Sequence, residues 1–234
     1  MKTAGIIGGT SWHSTVDIYR GANAYVAQRL GGYNCAKMVL VNVNLQDIIS
    51  AKGAENKAAV LVEGARQAQA GGADFIALCS NGLHEYRPFV QAAVELPVLH
   101  IADPTVDAIV AAGYSRVAML GVQRTMEAPF YIDRLRERGL EVFIPDLPDR
   151  EFMDKVLFGE TIFGEVLPES SRRFYDITNE LVRRGAQCAI LGCTEIGMLM
   201  QQEHTDVPLF DTTKIHAENI GRLCIEGTES IRRD

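Results

Sequence analysis

The sequence predicts an α/β protein of two pseudosymmetric lobes, each a mostly parallel sheet flanked by helices, with the active site in the cleft between them. Three observations predict it. Short apolar runs alternate with longer amphipathic stretches, the pattern of strands covered on both faces by crossover helices. Several of the amphipathic stretches close on glycine, as helix C-termini do. The chain also repeats itself: residues 72–81, Gly-Ala-Asp-Phe-Ile-Ala-Leu-Cys-Ser-Asn, align without gaps on residues 185–194, Gly-Ala-Gln-Cys-Ala-Ile-Leu-Gly-Cys-Thr.

The elements follow in order. Residues 4–7 form an apolar strand ending at Gly8-Gly9, and helix 17–30 follows, stopped by Gly31. Strand 38–43, helix 55–70 with Gly71 behind it, and strand 75–79 complete a first βαβαβ run, with a further strand at 98–101. Helix 104–112 stops at Gly113, strand 117–121 leads to helix 126–138 and Gly139, and strand 142–144 follows. Helix 169–184 with Gly185, strand 188–192, strand 208–210 and a terminal helix 212–222, capped by Asp211 or Thr212, close the chain. Leu96-Pro97-Val98-Leu99 matches Val207-Pro208-Leu209-Phe210, and the strand ending at Gly8 matches residues 116–121, so the repeat spans whole halves. The lobes are drawn as residues 1–102 with 209–234, and residues 103–208.

Composition narrows the function. The 234 residues are 47% hydrophobic and 23% charged, an ordinary globular balance. A formal charge of −7 argues against a nucleic-acid binder. The N-terminal stretch, with one charge and a glycine-broken apolar run, reads as neither signal peptide nor membrane span, which places the chain in the cytoplasm. Five cysteines without a C-x-x-C pair imply no disulfide framework and leave thiols free for chemistry. Gly5-x-x-Gly8-Gly9 lacks the spacing of a dinucleotide fingerprint, and no acid closes the second strand near residues 42–44. His13, His84, His100, His204 and His216 show no metal-ligand spacing with cysteine, so no metal or cofactor is expected.

Chemistry concentrates after the matched strands, where an open α/β sheet places its ligands. Ser80-Asn81-Gly82 in one half stands opposite Cys193-Thr194-Glu195 in the other. A helix start there offers free N–H groups to a carboxylate and lowers a thiol pKa, which marks Cys193 as a thiolate base. Cys79, one residue before Ser80, points the other way by strand alternation. Glu195 is either a proton acceptor for Cys193 or an acid simply favoured in a first helical turn. His84 reads as a packed or solvated histidine rather than a base, and His216 is expected at the surface.

Ile7-Gly8-Gly9-Thr10-Ser11-Trp12, Cys79-Ser80-Asn81, Thr125-Met126, Leu191-Gly192-Cys193-Thr194-Glu195-Ile196-Gly197 and Phe210-Asp211-Thr212 together resemble the aspartate/glutamate racemase superfamily, in the same order and over nearly the whole chain. The resemblance implies a cofactor-independent amino-acid racemase with one catalytic cysteine from each lobe on opposite faces of the substrate α-carbon, and with the neighbouring Asn and Thr holding carboxylates. This chain departs from the pattern at Ser80, which stands where the first catalytic cysteine belongs. A branch with a hydroxyl residue there is similar to enzymes acting on L-aspartate or L-glutamate. Thr10 replaces a frequent methionine, and Ile162 a lysine of the two-cysteine aspartate racemases.

The function expected is therefore racemisation of an acidic L-amino acid, with Cys193 as base and Ser80 at the opposing position. Thr10, Asn81, Gly82, Thr125 and Thr194 are candidate carboxylate or amino-group contacts, and Lys52 and Gln46 candidates for the distal carboxylate. Serine is a weaker acid and base than a thiol, so the Ser80 face should be the slower one. A single-cysteine decarboxylase or isomerase of dicarboxylates and a non-catalytic dicarboxylate-binding protein are the alternatives. The partners expected are a small acidic amino acid or dicarboxylate, with no nucleic acid and no membrane; a homodimer is left open.

Overall fold

The computed structural model describes residues Met1–Ile231 and is an α/β fold with two parallel sheets flanked by helices. Its two compact units are Met1–Ile101 joined by the chain from His216 onward, and Ala102–Ile215. The first unit contains β1 (Thr3–Gly8), α1 (Trp12–Leu30), β2 (Lys37–Asn42), α2 (Leu45–Ser50), α3 (Ala54–Ala70), β3 (Phe75–Leu78) and α4 (Arg87–Ala93). The second contains α5 (Ala102–Ala111), β4 (Arg116–Leu120), α6 (Gln123–Glu127), α7 (Pro129–Glu137), β5 (Glu141–Phe143), α8 (Leu147–Gly159), α9 (Pro168–Arg183), β6 (Cys188–Leu191), α10 (Ile196–Leu199) and β7 (Leu209–Asp211). The last helix, α11 (Thr212–Glu226), starts in the second unit and continues into the first.

The first sheet has the order β2-β1-β3, all parallel. Strand alternation divides its side chains between two cores. Ala4, Ile6, Phe75, Ala77 and Cys79 pack with Ile18, Ala22 and Val26 of α1 and with Ala217, Ile220, Leu223 and Cys224 of α11. Ile7, Ile76 and Leu78 face the other way, against Ile48 of α2, Leu61, Ala65 and Ala68 of α3, and Val90 of α4. Burying each of the large aliphatic side chains contributes about 1.5–3 kcal/mol, so two-sided coverage is what holds so short a sheet.

The second sheet has the order β5-β4-β6-β7, again parallel. The repeat holds bond by bond. The Asp74 N–H donates to the Thr3 carbonyl while its Oδ2 accepts from the Thr3 N–H, and Gln187 does the same to Arg116 with its N–H and Oε1. Ile76 N–H to Pro97 O recurs as Ala189 N–H to Pro208 O, and Cys79 N–H to Ile7 O recurs as Gly192 N–H to Leu120 O. Ser80 and Cys193 thus hold the same place, each on its own sheet.

Three expectations change. The strand at 98–101 shrinks to a single bridge, Ile76 with Val98, because Pro97 has no N–H to extend the ladder and α5 begins at Ala102. The helix at 126–138 is two helices, broken where Pro129 biases Ala128 to an extended conformation (φ −80°, ψ 141°). Residues 209–215, expected in the first lobe, belong to the second unit, because Leu209–Asp211 pair with β6. No helix among the described residues is long and apolar enough to cross a membrane.

Candidate active site

In the first unit the loop after β1 is fixed by its backbone. Gly9 has φ 90°, and a Cβ there would lie 2.1 Å from the Val43 carbonyl oxygen, so no other residue fits. The Gly9 N–H donates to Thr15 Oγ1 at 2.9 Å, and that hydroxyl in turn donates to the Ser11 carbonyl. Ser11 is the N-cap of α1 yet makes no side-chain capping bond, and the first turn of this 19-residue helix carries no acid. The hydroxyls of Thr10 and Ser11 are both buried without a partner. Free hydroxyls beside an uncapped helix N-terminus suit an anion. Thr10 was found by motif; Ser11 was not singled out, although a serine at the N-cap place was the available signal.

The loop after β3 sorts its neighbours by pleat. Cys79 lies in the core, 1% exposed, its thiol pushed up to about 12 by burial, while Ser80 sits outside the core at the strand end. Asn81 is buried beside it, and Gly82 opens a 3₁₀ turn, Gly82–Tyr86. The two candidates for a distal carboxylate fare differently. Gln46 is exposed and its amide donates to Ser50, whereas Lys52 is exposed with its side chain in solvent between α2 and α3.

In the second unit the corresponding residues form a tight cluster. The Cys193 thiol donates to Glu195 Oε2 at 3.1 Å, and Thr194 Oγ1 donates to the same oxygen at 2.7 Å. Glu195 is only 7% exposed, and its other oxygen is buried with no partner. The expected thiolate is corrected here. Burial first, and the Glu195 carboxylate second, hold the Cys193 thiol well above its usual value. The helix meant to lower it, α10, has four residues and hence almost no dipole. The contact places a Glu195 oxygen within hydrogen-bond reach of the Cys193 thiol.

Thr125, in α6 just after β4, is fully buried and its hydroxyl has no partner. Asp154 of α8 accepts the Gln123 N–H at 2.7 Å; burial pushes its carboxyl up, and its charge adds to the rise of the Cys193 thiol. Asp154 escaped the sequence because α8 itself did. Asp211 caps α11 by accepting from the Thr213 and Lys214 N–H groups, and Thr212 Oγ1 donates to the Leu191 carbonyl.

His216 is the other correction: it is wholly buried rather than at the surface. His84 meets His100 at 4.8 Å and His216 at 6.3 Å between ring centroids, a grouping that linear spacing concealed. Among the described residues no group of His, Cys, Asp and Glu has the arrangement of a metal site.

The Cys193–Glu195 contact has a direct test. In Glu195→Gln the negative charge that opposes the thiolate is gone, so the Cys193 pKa, followed by thiolate ultraviolet absorbance, should fall. If Glu195 also serves as proton acceptor, activity at neutral pH should nevertheless drop by about 10²-fold. An unchanged thiol titration contradicts the contact.

Residues 7–220 match the family model for Asp/Glu/Hydantoin racemase. A Yersinia pestis protein described as a candidate Asp/Glu racemase is 37% identical, with a TM-score of 0.89 over 97% of this chain and 100% of its own. An aspartate racemase homologue from Pyrococcus horikoshii OT3 is 29% identical, with a TM-score of 0.84 over the same shares. The broad specificity amino-acid racemase RacX of Bacillus subtilis (strain 168) is 24% identical over 159 residues, 68% of either chain. With the family match covering nearly all of both units, the chain belongs to the Asp/Glu/hydantoin racemase family of isomerases.

Proposed function

We propose that this protein is a cofactor-independent racemase of an acidic amino acid, aspartate or glutamate, in which Cys193 and Ser80 serve opposite faces of the α-carbon. The observation that carries the reading is the Cys193–Glu195–Thr194 cluster at a strand end of a racemase fold. Glu195 takes the thiol proton, and the thiolate takes the α-proton of the L enantiomer. The electron pair left on carbon spreads into the α-carboxylate, whose growing charge is met by fixed donors. Candidate donors are the hydroxyls of Thr10, Thr125 and Thr194 with the Asn81-Gly82 backbone. A proton then arrives on the opposite face from the Ser80 hydroxyl, directly or through a water, and the serine is reprotonated by solvent. Lys52 is the candidate for the distal carboxylate; Gln46, held by Ser50, is the weaker one.

Support for a carboxylate ligand comes from the unpartnered hydroxyls of Thr10 and Ser11 at the start of α1. Solvent deuterium incorporation at the α-carbon, measured across a panel of L- and D-amino acids, tests the reading. Exchange should be fastest with L-aspartate or L-glutamate and slower with their D forms. Fast exchange confined to apolar amino acids would remove the acidic substrate, and no exchange with any would remove the racemase. A second reading, decarboxylation of a dicarboxylate, is favoured by one feature: a single protonated thiol can serve as the only proton donor. Carbon dioxide release from substituted malonates without amino-acid exchange would establish it.

A further inference from the structure

The residue at the acid/base position lies just past its strand, so its carbonyl has left the sheet ladder and requires another donor. The two halves meet this need differently. In the second unit the Cys193 carbonyl accepts from the Ile196 N–H at 3.0 Å, closing an ordinary backbone turn. In the first unit the turn begins one residue later, with the His84 N–H donating to the Asn81 carbonyl at 3.1 Å, and the Ser80 carbonyl falls outside it. A side chain takes over: His84 Nδ1 lies 2.7 Å from the Ser80 carbonyl oxygen.

The second ring nitrogen fixes the chemistry of the first. His84 Nε2 is 3.1 Å from the Ile101 N–H, and a backbone amide can only donate, so Nε2 is the acceptor and the proton sits on Nδ1. The ring is a neutral imidazole, 1% exposed, with both nitrogens bound to backbone and its faces near His100 and His216. Such a ring is a strut rather than a proton carrier. It ties the Ser80 turn to Ile101, the last residue before the chain leaves the first unit. At the equivalent place in the second half stands Gly197, where a Cβ would already meet Asp211 Oδ2 at 2.9 Å, so the device belongs to the serine half alone.

We infer that His84 is a positioning residue for Ser80, holding the serine turn through the main-chain carbonyl. The inference rests on the reading of Ser80 as the acid/base of the face opposite Cys193. Two conservative variants separate its two bonds. His84→Asn keeps an N–H donor near the place of Nδ1 and loses the acceptor for Ile101. His84→Gln puts an oxygen near the place of Nε2 and loses the donor to Ser80. Deuterium exchange of the D enantiomer should fall by roughly 10²-fold in His84→Gln, the scale of an ångström misplacement at a reacting group, and recover in His84→Asn. Exchange of the L enantiomer should stay near the parent rate in both.

Equal loss from both enantiomers in both variants would make His84 a scaffold residue only. Unchanged D-side exchange in His84→Gln would likewise overturn the inference. A parent protein that exchanges neither enantiomer overturns the racemase reading instead, and amide hydrogen exchange over residues 80–84 then decides. Protection lost in His84→Gln and kept in His84→Asn upholds the strut, and equal protection in the two removes it.

Discussion

Replacing Cys193 with alanine should reduce α-proton exchange from the L enantiomer by 10³-fold or more, on the order of what a general base supplies. Binding of a carboxylate inhibitor such as succinate should change by less than about tenfold, because the hydroxyl and backbone donors remain. In the proposed mechanism the thiol is the base at carbon, and Glu195 would act through it by the 3.1 Å contact. Cys79→Ala is the control. That thiol packs with Ile6, Phe75 and Leu99 and has its pKa near 12, so its loss should cost about 1 kcal/mol of stability and leave exchange alone. Exchange retained in Cys193→Ala, or lost in a folded Cys79→Ala, would move the chemistry to another side chain.

The second large effect is on stability against acid. His216 is fully buried, neither ring nitrogen has a hydrogen-bond partner, and burial chiefly pushes its pKa down to about 3. In the unfolded chain the same imidazole titrates near 6.5. Between these values the unfolded state binds a proton that the folded state refuses, so stability is complete above pH 6.5 and declines as the pH falls towards 3. The integrated loss is on the order of 4–5 kcal/mol, a large share of a domain's total. The salt-bridged carboxyl of Asp74, lowered chiefly by the Thr3 N–H, acts in a separate window below pH 4. His216→Leu removes a titrating group and two unpartnered polar atoms. Urea unfolding from pH 7 to pH 5 should therefore show a markedly smaller slope in the variant than in the parent. Equal slopes would place the acid sensitivity elsewhere.

Much of this was legible in the sequence because it is written in period and repeat. The continuous apolar runs gave strands buried on both faces, and the gapless match of 72–81 with 185–194 put Ser80 in register with Cys193, as the paired hydrogen bonds of the two sheets bear out. What stayed hidden has two physical causes. α8 buries only Met153, Val156 and Leu157 fully and carries a proline in its first turn, so its apolar stripe is too thin to read, and Asp154 was hidden with it. The states of Cys193, His84 and His216 depend on neighbours distant in sequence or on side-chain rotation, as when Glu195 turns back to accept the thiol two residues earlier. A helix start predicts a lowered thiol pKa only while the helix is long and no carboxylate sits beside the sulfur.

The origin of α11 bears on how the protein is made. One core of the first sheet is closed by Ala217, Ile220, Leu223 and Cys224, and the Lys2 N–H is bonded to the Cys224 carbonyl. During synthesis β1, β2 and β3 therefore leave the ribosome with one apolar face covered by α1 alone until the second unit and α11 have followed. The second unit, by contrast, is contiguous from Ala102 to Ile215. It can finish folding before the unit encoded ahead of it, whose core draws on α11 residues that follow the second unit in the chain.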